Sequence, residues 1–303
     1  MHGPDRRVVA DAIDADAIDG IDAGPIRAAA AAIGGAPPVA GRALRLVLAP
    51  VALVLVSLHL AWGLAWAALA FPWLPLPARN RAIRLWSRML LAIVGVRLEP
   101  RGQPIDAHRA ACGIDGANAG GCLVVANHVS WLDVFAIDAL VPSRFIAKAD
   151  ITSWPVVGWL VTLVGTLYVE RGRRHAVASI NRSLARHLKR GETLAIFPEG
   201  TTSDGTRLQR FHANLIQPAL DEASEVRPVA ISYSQSGIRS QAATYIGDTT
   251  LVASLWRVIT APRLVVTLDW LPPIPLATGN RHAVARAARL AIAEAIGAPL
   301  DDA

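Results

Sequence analysis

Lysine is nearly missing from this 303-residue chain: of its 30 basic Lys and Arg residues only Lys148 and Lys189 are lysines. That bias reads as the codon usage of a GC-rich genome, so arginine abundance alone carries no argument for phosphate binding. Cysteine is almost as scarce. Cys112 and Cys122 form no Cys-x-x-Cys and no Cys/His metal spacing, which excludes a zinc ribbon or a disulfide-built scaffold. The pair fits a reducing compartment, with both as ordinary residues; the alternative is one disulfide across the short gap between them. No Gly-x-Ser-x-Gly occurs, which counts against a serine hydrolase. Acidic residues are absent from Ala23 to Leu98, and no charged residue of either sign lies between Arg45 and Arg79. Charged residues make up 18% of the chain against 53% hydrophobic, with a formal net charge of +6. A basic chain is drawn to nucleic acid or to anionic membrane. The apolar excess selects membrane, and no nucleic-acid partner is expected.

The chain divides into three parts. Residues 1–38 form a low-complexity tail with six Asp and three Arg, without the basic start and early apolar core of a signal peptide. Residues 39–98 hold the uncharged run. A bilayer core needs about 20 apolar helical residues, and the run exceeds that. Pro50 lies near its start, Pro72, Pro75 and Pro77 cluster at its end, and Trp62, Trp66 and Trp73 suit an interfacial belt. Two geometries fit: one tilted span, or a hairpin that enters and leaves one leaflet. Arginine flanks the run on both sides. Residues 80–95 then read as an amphipathic helix, suited equally to an anionic surface and to core packing.

Residues 99–303 read as one α/β domain. Short apolar strands are expected at Cys122–Ala126, Ser143–Lys148, Leu167–Glu170, Leu194–Phe197, Val226–Tyr233 and Arg263–Trp270. Helices are expected at Trp131–Leu140, Trp154–Val164, His175–Lys189 and 280–297. Alternation of this kind predicts a mixed, largely parallel sheet covered by helices.

Three strand ends carry chemistry. Asn127-His128-Val129-Ser130-Trp131-Leu132-Asp133 sits where a strand hands over to a helix, a place where open α/β sheets bind ligands. Two positions five apart on one helix diverge by about 140°. With His128 in the turn before the helix, Asp133 can fold back to its ring. A carboxylate-held imidazole is a general base: the acid fixes the tautomer and stabilises the imidazolium. Ser130-x-x-Asp133 equally satisfies a helix capping box, and the two roles are compatible. Phe197-Pro198-Glu199-Gly200-Thr201-Thr202-Ser203 makes a tight turn that presents a carboxylate and several hydroxyls. Glu170-Arg171-Gly172-Arg173-Arg174 offers a guanidinium that can fork onto a phosphate or carboxylate, or be a solvated basic loop.

Asn127-His128 with Asp133, then Arg171, then Phe197-Pro198-Glu199-Gly200-Thr201, then Val226-Arg227-Pro228-Val229 follow one another in this order. Together they resemble the motif blocks of the 1-acyl-glycerol-3-phosphate acyltransferase family, over roughly Arg79 to Trp270. The resemblance implies that His128 is the catalytic base and Asp133 its partner. It implies that Glu199, Gly200 and Thr201 shape the acceptor site, that Arg171 meets an anionic head group, and that Lys148 is a basic position near the site. It implies transfer of a fatty acyl group from acyl-CoA or acyl-carrier protein to the hydroxyl of a lysophospholipid-like acceptor, without metal or cofactor. The expected setting is a bacterial inner membrane, with the site facing the cytoplasm. Arg210-Phe211-His212-Ala213-Asn214 departs from the basic-Gly pattern of many members, and similar members acylate lyso-ornithine lipid. A phospholipid-dependent transacylase and a non-catalytic membrane lipid-binding protein are the competing readings.

Overall fold

A computed structural model describes residues 39–105, 120–148, 166–169, 174–276 and 279–301. The tail, Cys112, Arg171 and the Trp154–Val164 helix expectation lie outside the described residues.

The uncharged run is one unbroken helix, α1 (Val39–Ala70), in which Pro50 causes no interruption. At 1.5 Å per residue it is about 48 Å long, more than the roughly 30 Å of a bilayer core. The stretch Ala43–Trp73 is long and apolar enough to cross a membrane, and most of it is uncovered by the rest of the chain. Leu44, Val47, Val51, Leu58, Leu69 and Trp73 are among its exposed side chains. The chain turns only at Phe71–Trp73, a single 3-10 turn. Helix α2 (Leu76–Ile93) then packs back on α1. Gly63 makes the approach possible: a Cβ there would lie 2.2 Å from the indole nitrogen of Trp86. The Trp86 ring stacks on His59 at 4.6 Å. The other face of α2 buries Ser87, Leu90 and Leu91, and Arg88 Nε donates to the Ala139 carbonyl at 2.7 Å. Of its two expected settings, α2 therefore takes core packing on that face, while Leu85 and Met89 stay exposed.

Among the described residues eight strands form one sheet: β1 (Val96–Gly102), β2 (Cys122–Ala126), β3 (Arg144–Lys148), β4 (Leu167–Val169), β5 (Thr193–Ile196), β6 (Glu225–Gln235), β7 (Ile238–Arg239) and β8 (Leu264–Trp270). The order is β1-β8-β6-β2-β5-β3-β4, with β7 hairpinned onto β6. Pairing is parallel throughout except at β6–β8 and β6–β7. The mixed, largely parallel sheet expected from the alternating pattern is thus the one observed. Central β2 is buried along its whole length, as its unbroken apolar sequence requires of a strand covered on both faces. Cys122, Val124 and Ala126 point into one core layer, with α1, α2, α3 (Leu132–Asp138) and α6 (Leu251–Thr260). Leu123 and Val125 point into the other, with α4 (Arg174–Lys189), α5 (Gln217–Asp221) and α7 (Arg281–Ile296).

Helix α3 ends on a buried acid. Asp138 is only 7% exposed, and its Oδ1 accepts the Ser143 N–H at 2.9 Å. Burial pushes its carboxyl up to about 8, while the Ser143 N–H pulls the other way. A folded value above the unfolded one means stability that is complete below about pH 4 and is lost as pH rises through about 8. Asp138→Asn keeps an acceptor for Ser143 and cannot ionise. Its thermal midpoint is expected to exceed that of the unmodified protein by a margin that grows from pH 6 to pH 9. A margin that is flat with pH contradicts the assignment.

Candidate active site

Strands β2, β3 and β5 run in parallel, so their carboxyl ends open on the same edge of the sheet. The Asn127–Asp133 segment leaves β2 there, the Phe197–Ser203 turn leaves β5 beside it, and Lys148 closes β3. Two of the segments singled out in the sequence, and Lys148, are thus brought to one edge by strand direction alone.

Asn127 extends the β2–β6 pairing by one step. The backbone ladder ends at Ala126–Val229. The Asn127 carboxamide then replaces a peptide: Oδ1 accepts the Ile231 N–H at 2.7 Å and Nδ2 donates to the Ile231 carbonyl at 2.9 Å. This frees the main chain to leave the sheet at His128.

The His128 ring turns back on α3. Its Nδ1 lies 2.9 Å from Asp133 Oδ2, which leaves Nε2 as the ring nitrogen not engaged by the acid. Asp133 Oδ2 also accepts the N–H groups of Val129 at 2.7 Å and Ser130 at 2.9 Å. Its Oδ1 accepts the Tyr233 hydroxyl at 2.6 Å. Asp133 is fully buried, so protein donors take the place of its water shell. The two roles open for Asp133 in the sequence are one: the carboxylate that returns to the N–H at the start of α3 also holds the imidazole. Phe197 stacks on the outer face of the His128 ring at 4.0 Å, and Phe145 stacks on Phe197 in turn. The His128 side chain keeps 20% of its surface exposed, which fits a group reached from outside.

The second turn locks onto the first. Gly200 closes it with φ at 71°, a conformation that favours glycine, and Gly200 N–H returns to the Phe197 carbonyl at 3.1 Å. Glu199 points inward and is buried. Its Oε1 accepts the His128 backbone N–H at 2.8 Å, and its Oε2 accepts the Gln209 N–H at 3.4 Å. Burial pushes the Glu199 carboxyl up to about 7, against the pull of those two N–H groups. Gly200 and Thr201 are exposed beyond it. Ser203 N–H donates to the His128 carbonyl at 2.8 Å. Arg289 of α7 holds the returning chain through the Leu208 and Gln209 carbonyls, each at 2.8 Å. Beside this turn lies an open cavity of about 340 Å³ lined by Thr202, Ser203, Asp204, Thr206, Arg207, Gln209, Ile246 and Asp301.

Tyr233 and Arg289 carried no signal in the sequence: a tyrosine late in a strand and an arginine on a helix acquire meaning only from contacts made across the fold. Asn127 and Phe197 were visible as motif members, but not as a strand extension and a ring support. Among the described residues no group of three or more His, Cys, Asp or Glu side chains is placed to hold a metal ion.

An α/β domain that presents a His–Asp pair and a Glu-Gly turn at adjacent strand ends has the form of an acyltransferase, and comparison with known proteins agrees. Residues 109–232 match the family described as Acyltransferase. A lyso-ornithine lipid O-acyltransferase of Pseudomonas aeruginosa is 38% identical over 216 residues, which cover 71% of this chain and 78% of that protein. A 1-acyl-sn-glycerol-3-phosphate acyltransferase of Neisseria meningitidis is 38% identical over 195 residues, 64% of this chain and 72% of that one. The crystal structure of the 1-acyl-sn-glycerophosphate acyltransferase PlsC from Thermotoga maritima shares the fold, with a TM-score of 0.58 at 18% identity over 84% of this chain and 96% of that chain. This chain belongs to the acyltransferase family, and it is an acyltransferase.

Proposed function

We propose that this protein transfers a fatty acyl group from acyl-CoA or acyl-carrier protein to the hydroxyl of a lyso-lipid at the surface of a bacterial inner membrane, with the site facing the cytoplasm. The observation that carries the reading is the His128–Asp133 pair, at 2.9 Å. His128 Nε2 takes the proton of the acceptor hydroxyl as its oxygen attacks the thioester carbonyl. The C–S bond breaks, the carrier leaves as its thiolate, and that thiolate recovers the proton from the imidazolium. The thioester is already activated, so neither a metal nor an acyl-enzyme is required. Asp133 stabilises the imidazolium while it lasts. Glu199 ties the second turn to the His128 backbone. Arg171 and Lys148 complete the acceptor site as its cationic groups, and Thr201 and Gly200 form its exposed rim.

Helix α1, with its exposed apolar side chains, holds the domain to the bilayer in which the acceptor resides. The two bacterial relatives act, by name, on different acceptors, and the cavity beside the second turn favours one of them. Its lining includes Arg207, Asp204 and Asp301. The side-chain hydroxyl and backbone N–H of Thr206 hold the Asp204 carboxyl below the usual range. Such a mixture suits a zwitterionic head better than a phosphate dianion, which two carboxylates would repel. That lining supports lyso-ornithine lipid over lysophosphatidate as the acceptor we propose.

The experiment offers labelled acyl-CoA and acyl-carrier protein, each against lyso-ornithine lipid and lysophosphatidate, to purified protein in detergent. Diacyl product with the ornithine acceptor at the higher kcat/KM is expected. A higher kcat/KM with lysophosphatidate removes the head-group assignment. Transfer from intact phospholipid without either carrier points to the transacylase. Lipid binding without any turnover leaves the non-catalytic reading.

A further inference from the structure

Among the described residues, Tyr233 is the one side chain outside the sequence motifs with a hydrogen bond to the His–Asp pair. It stands on β6, a hundred residues along the chain from Asp133. It is 3% exposed, and its hydroxyl donates to Asp133 Oδ1 at 2.6 Å, while Ser130 bonds to the same hydroxyl. The two Asp133 oxygens therefore have separate duties. Oδ2 collects three N–H donors, from His128, Val129 and Ser130. Oδ1 has the Tyr233 hydroxyl. A carboxylate with one oxygen so fixed cannot rotate about its terminal bond, and terminal carboxylate torsions are otherwise broad.

We propose that Tyr233 is a positioning residue for acyl transfer: its hydroxyl holds the Asp133 carboxylate in the one orientation that keeps Oδ2 on His128 Nδ1. The inference rests on the general-base reading of His128. The physical ground is the site's dryness. A fully buried carboxylate is sustained only by its donors, and the tyrosine hydroxyl is the donor on Oδ1. Its removal leaves Oδ1 without that donor and frees the carboxylate to turn, and a turned Asp133 neither fixes the tautomer nor stabilises the imidazolium. Tyr233 touches no substrate in this scheme and acts through Asp133 alone.

The test is Tyr233→Phe, which removes one oxygen and preserves the ring packed in the core. Its kcat is expected to fall about 10- to 100-fold, less than the about 10²- to 10⁴-fold that the positioned base itself supplies. KM for the acyl thioester should stay within about twofold, because only the reacting geometry is disturbed. The loss should therefore appear in kcat and not in KM, with every thioester and acceptor alike. A purely structural tyrosine would lower the thermal midpoint and leave kcat per folded protein in place. A kcat per folded protein within threefold of wild type overturns the proposal. His128→Ala, run alongside, separates the two levels. If it is inactive while Tyr233→Phe behaves as wild type, the positioning role fails and the general base stands. If His128→Ala is fully active, the general-base reading itself fails. Tyr233→Phe does not need to match wild-type stability, because kcat is referred to the fraction that remains folded.

Discussion

His128→Ala is expected to lose about 10²- to 10⁴-fold in turnover, the range that positioned general bases supply, with the fold retained. The retention follows from the geometry. The His128 side chain lies at the site's opening and is one-fifth exposed. Its backbone N–H and carbonyl, which bond to Glu199 and Ser203, survive the substitution. What disappears is the Phe197 stack and one of the donors to Asp133. Because the remaining donors still surround that carboxylate, melting should change little compared with the activity. Binding of the lyso-lipid and of the acyl thioester should persist, so the effect appears in kcat and not in KM. Initial rates against both substrates, with circular dichroism on the same preparation, check this. Turnover within threefold of wild type in a folded variant rejects His128 as the base.

Substitution of Asp133 is expected to separate charge from scaffolding. Asp133→Asn retains an oxygen for the N–H groups and a polar partner for Tyr233, but no negative charge to stabilise an imidazolium. It should fold and lose about 10²- to 10⁴-fold in kcat, as loss of the orienting acid does in comparable triads. Asp133→Ala removes the acceptor for four donors at once, among them Val129 N–H, Ser130 N–H and the Tyr233 hydroxyl. Breaking a buried charged centre in this way costs about 3–5 kcal/mol, so this variant should be inactive and also melt far lower. The pair of variants distinguishes a catalytic acid from a helix cap. A cap alone would make the alanine unstable and leave the asparagine nearly as active as wild type.

What could be read from the sequence follows from how local each signal is. The strands β2, β5 and β8 are short apolar runs, and their bounds fall within a residue or two of expectation because both faces of the sheet are covered. Strand β1 escaped notice: Val96-Arg97-Leu98-Glu99-Pro100-Arg101-Gly102 is charged, and carries a proline that an edge strand tolerates. Helix α6 escaped too, since only the Thr250 cap on the Ala253 N–H marks its start. The site divides along the same line. His128 and Asp133 are five residues apart and obey a local rule of helix geometry. Glu199 advertises itself through the Pro-Glu-Gly turn, although its inward course to the His128 N–H is visible only in three dimensions. Tyr233 and Arg289 act across more than eighty residues of chain, and no spacing announces such partners.

The most direct test of the account is the release of carrier thiol by wild-type protein and His128→Ala, each with the lyso-lipid present and with it omitted. Direct attack by an acceptor hydroxyl that His128 deprotonates predicts thiol in step with diacyl product, only when acceptor and His128 are both present. A burst of thiol without acceptor that leaves the acyl group on the protein, or undiminished release in His128→Ala, would contradict it.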